Sequence, residues 1–242
     1  VSQFYCYRTN GILTADDFEK KADGTPDENK PLVPVYKGQR IGNVKMVDQP
    51  TKMVDGKLVG DGVITEDDLV PYGNNIPDVI YGITNRFSYK NFDLRATFTG
   101  SQGAEVINFQ KYYLYNMEGS GNQLASVLNR WHSDENPGSG GVFRAARSST
   151  PNTSQRLSSY MVDDASYFRC ANITLGYNFP VKWMQKVSVQ ALRLYVSVDN
   201  LFTLTDYEGY NPEVDYKGDN LLPGFDWGVY PLARTYSIGA KI

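Results

Sequence analysis

Two stretches near the end of the sequence decide the fold: YFRCANITLGYNF at 167–179 and LRLYVSVDNLFTL at 192–204. Apolar and polar residues alternate in both with a period of two, as in a β-strand, whose successive side chains point to opposite faces. In the first stretch, the apolar face is predicted to consist of Tyr167, Arg169, Ala171, Ile173, Leu175, Tyr177 and Phe179. In the second, it is predicted to consist of Leu192, Leu194, Val196, Val198, Asn200, Phe202 and Leu204.

The same alternation predicts four more strands, at 1–13, 79–90, 92–101 and 234–242. The connections between strands are short at 90–91 and 180–191 and long at about 14–76, 102–165 and 205–233. Short turns on one side, long loops on the other and aromatic residues at the strand ends are typical of transmembrane β-barrels. Six strands cannot close a barrel and an open edge cannot face lipid, so the chain is expected to be a piece of a longer secreted protein.

The composition restricts the remaining possibilities. The chain has 242 residues, 41% of them hydrophobic, with a formal net charge of −3. No apolar run reaches the roughly 18 residues of a transmembrane helix, and this charge gives no reason to expect a nucleic-acid partner. Two distant cysteines and a single histidine predict neither a disulfide nor a metal or catalytic cluster, so we expect no enzymatic activity.

Several motifs in order resemble the SusC/RagA family of TonB-linked (TonB-dependent) outer-membrane transporters. They are GDGVITEDDLVPYGNNIPDVIYGITNRFSYKNFDLRATFTGSQGAEVIN at 60–108, LNRW at 128–131, YFRCANITLGYNFP at 167–180, LRLYVSVDNLFTLTDYEGYNPEV at 192–214 and YPLARTY at 230–236. Together they cover nearly the whole chain.

The resemblance implies an all-β fold: an antiparallel transmembrane β-barrel of which residues 1–242 supply six C-terminal strands out of about 22. It implies a nutrient importer for glycans or peptides in the outer membrane of a Gram-negative bacterium. The long loops would then be extracellular, and a SusD-like surface lipoprotein would be the partner. The plug domain and the region contacting TonB would belong to an upstream part that this chain lacks.

Two groups of residues are candidates for function. Five loop aromatics could contact substrate or the lid partner, or could simply pack the loops: Tyr112, Tyr113, Trp131, Tyr210 and Trp227. Four charged residues fall on the polar strand face, where we expect them to line the lumen and to pair with one another, with the plug or with substrate: Arg86, Arg95, Arg193 and Asp199.

The acidic loop around Gly62 raises the question of calcium. An EF-hand loop needs oxygen ligands at positions 1, 3, 5, 9 and 12 around a glycine at position 6. Asp61, Thr65 and Asp68 fit positions 5, 9 and 12, but Lys57 and Val59 occupy positions 1 and 3. We therefore expect no metal or other cofactor, and a Gly-Asp-Gly turn followed by a capped short helix is the simpler interpretation.

A second fold remains open at this point. Alternating strands, loop tyrosines and tryptophans, and an Asp-Gly-rich segment would also fit a soluble secreted β-sandwich that binds carbohydrate. A sandwich would bury the apolar face of its strands against a second sheet, whereas a barrel would leave that face for lipid.

Overall fold

The computed structural model describes residues 3–117, 121–145, 156–214 and 224–242. The chain divides into two compact units. The first comprises Val1–Asn74, Ile107–Asp163 and Phe225–Trp227. The second comprises Asn75–Val106, Asp164–Gly224 and Gly228–Ile242.

The described residues are mostly strands and irregular segments. The strands are β1 (Gln3–Tyr7), β2 (Thr9–Ile12), β3 (Phe18–Lys20), β4 (Pro26–Pro31), β5 (Val44–Met46), β6 (Lys52–Val54), β7 (Lys57–Val59), β8 (Leu69–Asn74), β9 (Val79–Tyr89), β10 (Phe92–Gln102), β11 (Glu105–Asn108), β12 (Val162–Asp164), β13 (Tyr167–Asn178), β14 (Arg193–Thr205), β15 (Phe225–Asp226) and β16 (Thr235–Lys241). Two short helices are α1 (Phe109–Leu114) and α2 (Val181–Met184). Single 3₁₀ turns lie at Ala15–Asp17, Glu66–Asp68, Ala125–Asn129, Ser159–Met161 and Gln185–Val187. None of the described helices is long and apolar enough to cross a membrane.

The second unit is built on a five-stranded antiparallel sheet with the order β16-β14-β13-β10-β9. The register aligns apolar side chains in rows across one face of this sheet, which we call the apolar face. One row, next to the short turns, is Tyr89, Phe92, Tyr177, Leu194 and Ala240; the next is Phe87, Leu94, Leu175, Val196 and Ile238. The middle row is Asn85, Ala96, Ile173, Val198 and Tyr236.

Aromatic rings mark both ends of the apolar face. Near the short turns, the rings of Phe92 and Tyr177 lie 4.8 Å apart between centroids. Near the long loops, Phe168 stacks on Phe98 at 5.4 Å and contacts Phe202 at 6.3 Å. An aliphatic band flanked by two aromatic girdles is the arrangement found on the lipid side of transmembrane barrels.

Most large side chains of the apolar face are exposed. The exposed fractions of Phe87, Leu175, Val196 and Ile238 are 61%, 51%, 48% and 86%. A soluble sandwich would cover such side chains, because burying this area is its main source of stability. The exposure therefore favours the barrel interpretation over the sandwich.

A β-bulge corrects the predicted faces of the strand at 167–179. Between β10 and β13 the register shifts, so that Thr97 lies opposite Asn172 while Phe98 lies opposite Cys170. The extra residue, Ala171, reverses the alternation on its N-terminal side, as a bulge does. Tyr167 and Arg169 were predicted on the apolar face, and this is wrong: they share the polar face with Asn172 and Thr174, whereas Phe168 and Cys170 join the apolar face.

The strand predicted at 1–13 also differs from the structure. It is not part of the five-stranded sheet: β1 pairs with β8, and β2 pairs with β5, in separate two-stranded sheets of the first unit. Phe4, Cys6 and Tyr7 are buried there, so this segment serves a local core and not a barrel wall. The other five predicted strands are β9, β10, β13, β14 and β16.

The loop predicted at 14–76 is also built into the first unit. It contains the antiparallel pairs β3-β4 and β6-β7, as well as β5 and β8. One of its core clusters joins Leu13, Phe18 and Ile41, and another joins Tyr7, Met46 and Ile64. Most of this segment is therefore folded structure with its own core clusters and not an irregular loop.

Candidate functional site

Three of the five predicted loop aromatics meet in one cluster in the first unit. We call Phe109, Tyr112, Tyr113, Phe225 and Trp227 the aromatic cluster. The rings of Phe109 and Trp227 are nearly parallel, with centroids 4.2 Å apart, and Tyr113 lies 6.4 Å from Trp227 and 5.1 Å from Tyr112. Tyr113 and Trp227 remain 54% and 42% exposed, so the cluster presents open ring surface to solvent.

Strand pairing and a helix cap hold this cluster in place. The two-residue strand β15 pairs in parallel with β11, which sets Phe225 beside Ile107 and Asp226 beside Asn108. The Asn108 side chain caps α1 by accepting from the amide of Gln110 at 3.1 Å. α1 then carries Phe109 onto Phe225, whose ring lies 5.7 Å away.

Polar groups with fixed partners surround the rings. The Gln110 side chain donates to the fully buried Asp226 at 2.7 Å. Asp163 accepts from Asn108 at 2.9 Å and forms an ion pair with Lys111 at 2.5 Å. Exposed rings set among a few oriented polar groups are suited to bind ring-bearing ligands or an aromatic partner surface.

The other two predicted aromatics do not belong to this cluster. Trp131 packs against the core of Leu13, Phe18 and Ile41, and its indole Nε1 is buried with no partner in the described part of the chain. Its structural role is therefore packing. Tyr210 is 62% exposed and lies in the second unit, beside a surface hollow that it lines together with Asn211 and Pro231.

The polar face of the sheet contains the four predicted charged residues, and two of them have partners. Arg193 contacts Asp93 through two hydrogen bonds, of 3.1 and 2.5 Å. Its guanidinium crosses the intervening strand above Gly176, where a Cβ would overlap it. Asp199 accepts from the Asn172 amide at 2.6 Å.

The other two predicted charged residues face each other. Arg95 on β10 lies directly opposite Arg86 on β9, and both side chains are exposed. Within residues 3–117, 121–145, 156–214 and 224–242, neither guanidinium has a carboxylate at ion-pair distance. Like charges directly opposite on a sheet destabilise it, which makes this pair unusual.

A further polar group on this face was missed by the sequence analysis. We call it the Arg169 clasp: Arg169 is 5% exposed, forms an ion pair with Glu213, and donates to Asn211 and to Thr203 at 3.0 Å each. Tyr167 also donates to Glu213, at 2.6 Å. The sequence did contain a signal for this group, because it placed Arg169 on a face predicted to meet lipid. A charged side chain is unfavourable in lipid, so its presence there indicates a bulge that moves the side chain to the other face.

The clasp determines the charge state of Glu213. Burial by itself raises the pKa of this carboxyl, but the hydrogen bonds from Tyr167 and Arg169 and the charge of Arg169 outweigh it, and the pKa is lowered. Glu213 is therefore ionised at neutral pH. It anchors the segment that follows β14, including Asn211, whose Nδ2 donates to the Glu213 carbonyl at 3.2 Å.

The acidic loop has the geometry of a hydrogen-bonded turn. Both carboxylate oxygens of Asp68 accept backbone amides, from Gln49 and Thr65, at 2.7 Å each. Asp61 accepts from the amide of Val63, and Thr65 caps the turn that follows. No group of three or more His, Cys, Asp or Glu residues in the described ranges could hold a metal ion. That the loop binds no calcium stays a prediction.

The known proteins that are similar in sequence to this chain all belong to one class. No family model matches the chain. It is 37% identical over 190 residues to TonB-dependent receptor P3 of Formosa agariphila, covering 76% of this chain and 18% of that protein. It is 35% identical over 187 residues to TonB-dependent receptor P26 of the same organism, with the same coverage, and 28% identical over 202 residues to TonB-dependent receptor SusC of Bacteroides thetaiotaomicron, covering 82% and 18%.

Solved structures give the same answer for the fold. A structure of the RagAB peptide transporter superposes with a TM-score of 0.70 and 21% identity, covering 98% of this chain and 22% of the matched one. The RagAB peptide importer in its "closed-closed" state gives a TM-score of 0.68 at the same identity. The fold of the chain is therefore that of a portion of such a transporter.

These matches define the class: the chain is part of a TonB-dependent receptor. SusC and the RagAB transporter are among the matches, which confirms the resemblance to the SusC/RagA family that the motifs indicated. The relatives are receptors and transporters, which are not enzymes. The chain spans less than a fifth of the length of the curated relatives that it matches.

Proposed function

We propose that this chain forms part of the barrel wall of a TonB-dependent importer that takes up nutrients across the outer membrane of a Gram-negative bacterium. The observation that carries the proposal is the two-sided sheet. Its exposed apolar face ends in aromatic rows, whereas its opposite face has a network of paired polar side chains. The apolar face would contact lipid and the polar face would line the lumen.

The long connections supply the outer surface in this proposal. Consecutive strands of the sheet are antiparallel, so the connections alternate between two sides. The short ones, 90–91 and 180–191, join strand ends at one side of the sheet, and 102–165 and 205–233 join strand ends at the other. By analogy with barrels that have short periplasmic turns, the long segments, including 14–76, are extracellular.

A labelling experiment tests this orientation. Single cysteines replace Thr51, Gly121 and Lys186 in the full-length receptor, and intact cells are treated with a maleimide that cannot cross the outer membrane. Thr51 and Lys186 are exposed, and a Cβ at Gly121 meets open space. We expect labelling at Thr51→Cys and Gly121→Cys, and labelling at Lys186→Cys only after permeabilisation. Labelling of Lys186→Cys in intact cells would contradict the orientation.

We further propose that the aromatic cluster contacts the cargo or the lid partner, a SusD-like surface lipoprotein. The cargo classes that its exposed rings suit are glycans, by stacking on sugar rings, and peptides, by packing on apolar or aromatic side chains. The RagAB structures are those of a peptide transporter, which keeps peptides open as a cargo beside glycans. TonB would act on the part of the receptor outside this chain.

Variants of two exposed tryptophans test the role of the cluster. Trp227→Ala removes open ring surface from the cluster, whereas Trp183→Ala removes a ring of similar exposure (57%) from the short connection at 180–191. We expect Trp227→Ala to reduce uptake or partner capture, and Trp183→Ala to leave both unchanged. A photo-crosslinking residue at Trp227 in living cells should form an adduct with the lipoprotein, whereas the same residue at Trp183 should not. Equal effects at both positions would exclude a specific role of the aromatic cluster in uptake or partner capture.

A further inference from the structure

The arginine pair of Arg86 and Arg95 stands out among the charged groups of the polar face. The other two arginines of this face are paired within the chain: Arg193 with Asp93, and Arg169 with Glu213. Arg86 and Arg95 are brought directly opposite each other by the register of β9 and β10. No described carboxylate lies at ion-pair distance from either guanidinium.

The side chains in the same row as the pair, on β13, β14 and β16, are hydroxyls that carry no charge. In the row beside it, the hydroxyls of Thr84 and Thr97 bond to each other at 3.2 Å. In the next strand, Thr174 bonds to Ser197 at 2.9 Å. Each of the two flanking rows holds one carboxylate, and both are already occupied. Asp93 contacts Arg193 and accepts from the Asn178 amide at 3.0 Å, and Asp199, two strands away on β14, accepts from the Asn172 amide at 2.6 Å.

The position of the pair along its strands makes the absence of an opposite charge unfavourable. Arg95 lies on β10 between Leu94 and Ala96, two residues of the aliphatic band. In the proposed barrel, this level lies within the membrane, where ionisable side chains face the interior or a water-filled cavity and mark sites of pairing or transport. A carboxylate on whatever occupies the lumen at this height would offset the two positive charges.

We propose that Arg86 and Arg95 form an anion site on the lumen wall, and that its ligand is a carboxylate. Two guanidinium groups can each donate paired hydrogen bonds to one carboxylate, the geometry for which arginine is suited. A shallow hollow of about 330 Å³ gives the ligand room; it is lined by both arginines, by Asn172 and Thr174, and by the Arg193–Asp93 ion pair. The carboxylate belongs either to another segment of the receptor polypeptide or to the cargo. This inference rests on the proposed barrel wall.

The test uses the full-length receptor purified in detergent, with Arg86→Gln, Arg95→Gln and the double variant. Lys241→Gln is the matched control, because Lys241 is an exposed cation on the same face at the end of β16. Arg95→Lys keeps the charge but loses the paired hydrogen bonds. The unfolding midpoint is measured with succinate as the carboxylate probe and with sodium chloride at the same ionic strength.

Two results support the site and distinguish the source of the carboxylate. If the carboxylate comes from the receptor itself, Arg86→Gln and Arg95→Gln lower the midpoint whether or not succinate is present, and Arg95→Lys lowers it less. If it comes from a free ligand, succinate but not chloride raises the wild-type midpoint, and either glutamine variant weakens succinate binding about ten- to a hundredfold.

One result overturns the site: both glutamine variants behave like Lys241→Gln, and succinate has no more effect than chloride. Membrane assembly is scored on the same variants by the heat-dependent gel mobility of folded barrels. Normal assembly together with that result refutes the anion site alone. Failure of the proposed barrel wall is a separate outcome, detected when a cysteine at Arg95 reacts with a lipid-soluble reagent and not with a water-soluble one.

Discussion

Replacing Ile173 with arginine should be costly because this side chain lies near the middle of the apolar face. Ile173 is in the middle row of the sheet, between the aromatic residues Tyr177 and Phe168 of its own strand. At about 3.3 Å per residue, these lie about 13 Å and about 16 Å away along the strand. An arginine near the bilayer midplane of a barrel costs about 2–4 kcal/mol, whereas one near an interface costs about 0–1 kcal/mol.

The assay is equilibrium unfolding in urea of the full-length receptor folded into lipid vesicles. We expect Ile173→Arg to lose about 2–4 kcal/mol of unfolding free energy and Leu194→Arg, in the row of Tyr177, to lose about 1 kcal/mol or less. Ser237→Arg, on the polar face and next to Tyr236 of the same middle row, serves as the matched control and should be the mildest of the three. Equal stability of Ile173→Arg and Ser237→Arg would refute the assignment of the faces.

Three other predictions concern the polar groups. Gly176→Ala should cost about 1–2 kcal/mol because its Cβ displaces Arg193 from Asp93, whereas Gly82→Ala, where a Cβ makes only ordinary contact, should cost less in the same unfolding assay. The Glu213 carboxyl has a lowered pKa, so the Arg169 clasp contributes stability above the unfolded-state pKa and loses it as the pH falls through the folded-state value. The stability advantage of the wild type over Glu213→Gln should therefore be full at neutral pH and be lost in acid, as the pH falls below the ordinary range of a glutamate carboxyl; an advantage that does not depend on pH would contradict this. Removing calcium with EDTA should leave the melting temperature unchanged because backbone amides already occupy Asp68, and a calcium-dependent increase would overturn that expectation.

The sequence was sufficient to predict the five strands of the sheet because their alternation is local information. It was misleading at Ala171, since a bulge adds one residue without any break in the pattern of apolar and polar letters. The only indication of the bulge in the sequence was Arg169, a charged residue on the predicted apolar face. The segment at 1–13 also alternates, but its partners are β8 and β5, and the choice between a barrel wall and a local core depends on these distant residues.

The candidate sites likewise divide into features that the local sequence predicts and features that depend on distant residues. Tyr112 and Tyr113 are neighbours in sequence, but Trp227 reaches them only because β15 pairs with β11 across more than a hundred residues. The opposition of Arg86 and Arg95 could have been predicted, because a tight turn at Lys90 and Asn91 fixes the register of its hairpin. Trp131 could not be assigned to a core from sequence, since its contacts come from residues at 13–41.

An accessibility scan along β13 tests directly whether this sheet spans the membrane, with a spin label at each position from 167 to 178 of the full-length receptor reconstituted in lipid. If it does, oxygen, which concentrates in lipid, reaches labels at Ile173, Leu175 and Tyr177 and, beyond the bulge, at Phe168. A water-soluble relaxation agent should instead reach labels at Thr174 and its neighbours on the polar face. We expect the alternation between oxygen-accessible and water-accessible positions to reverse at Ala171. Uniform access of the water-soluble agent to both faces would contradict the claim that this sheet is a membrane-spanning wall.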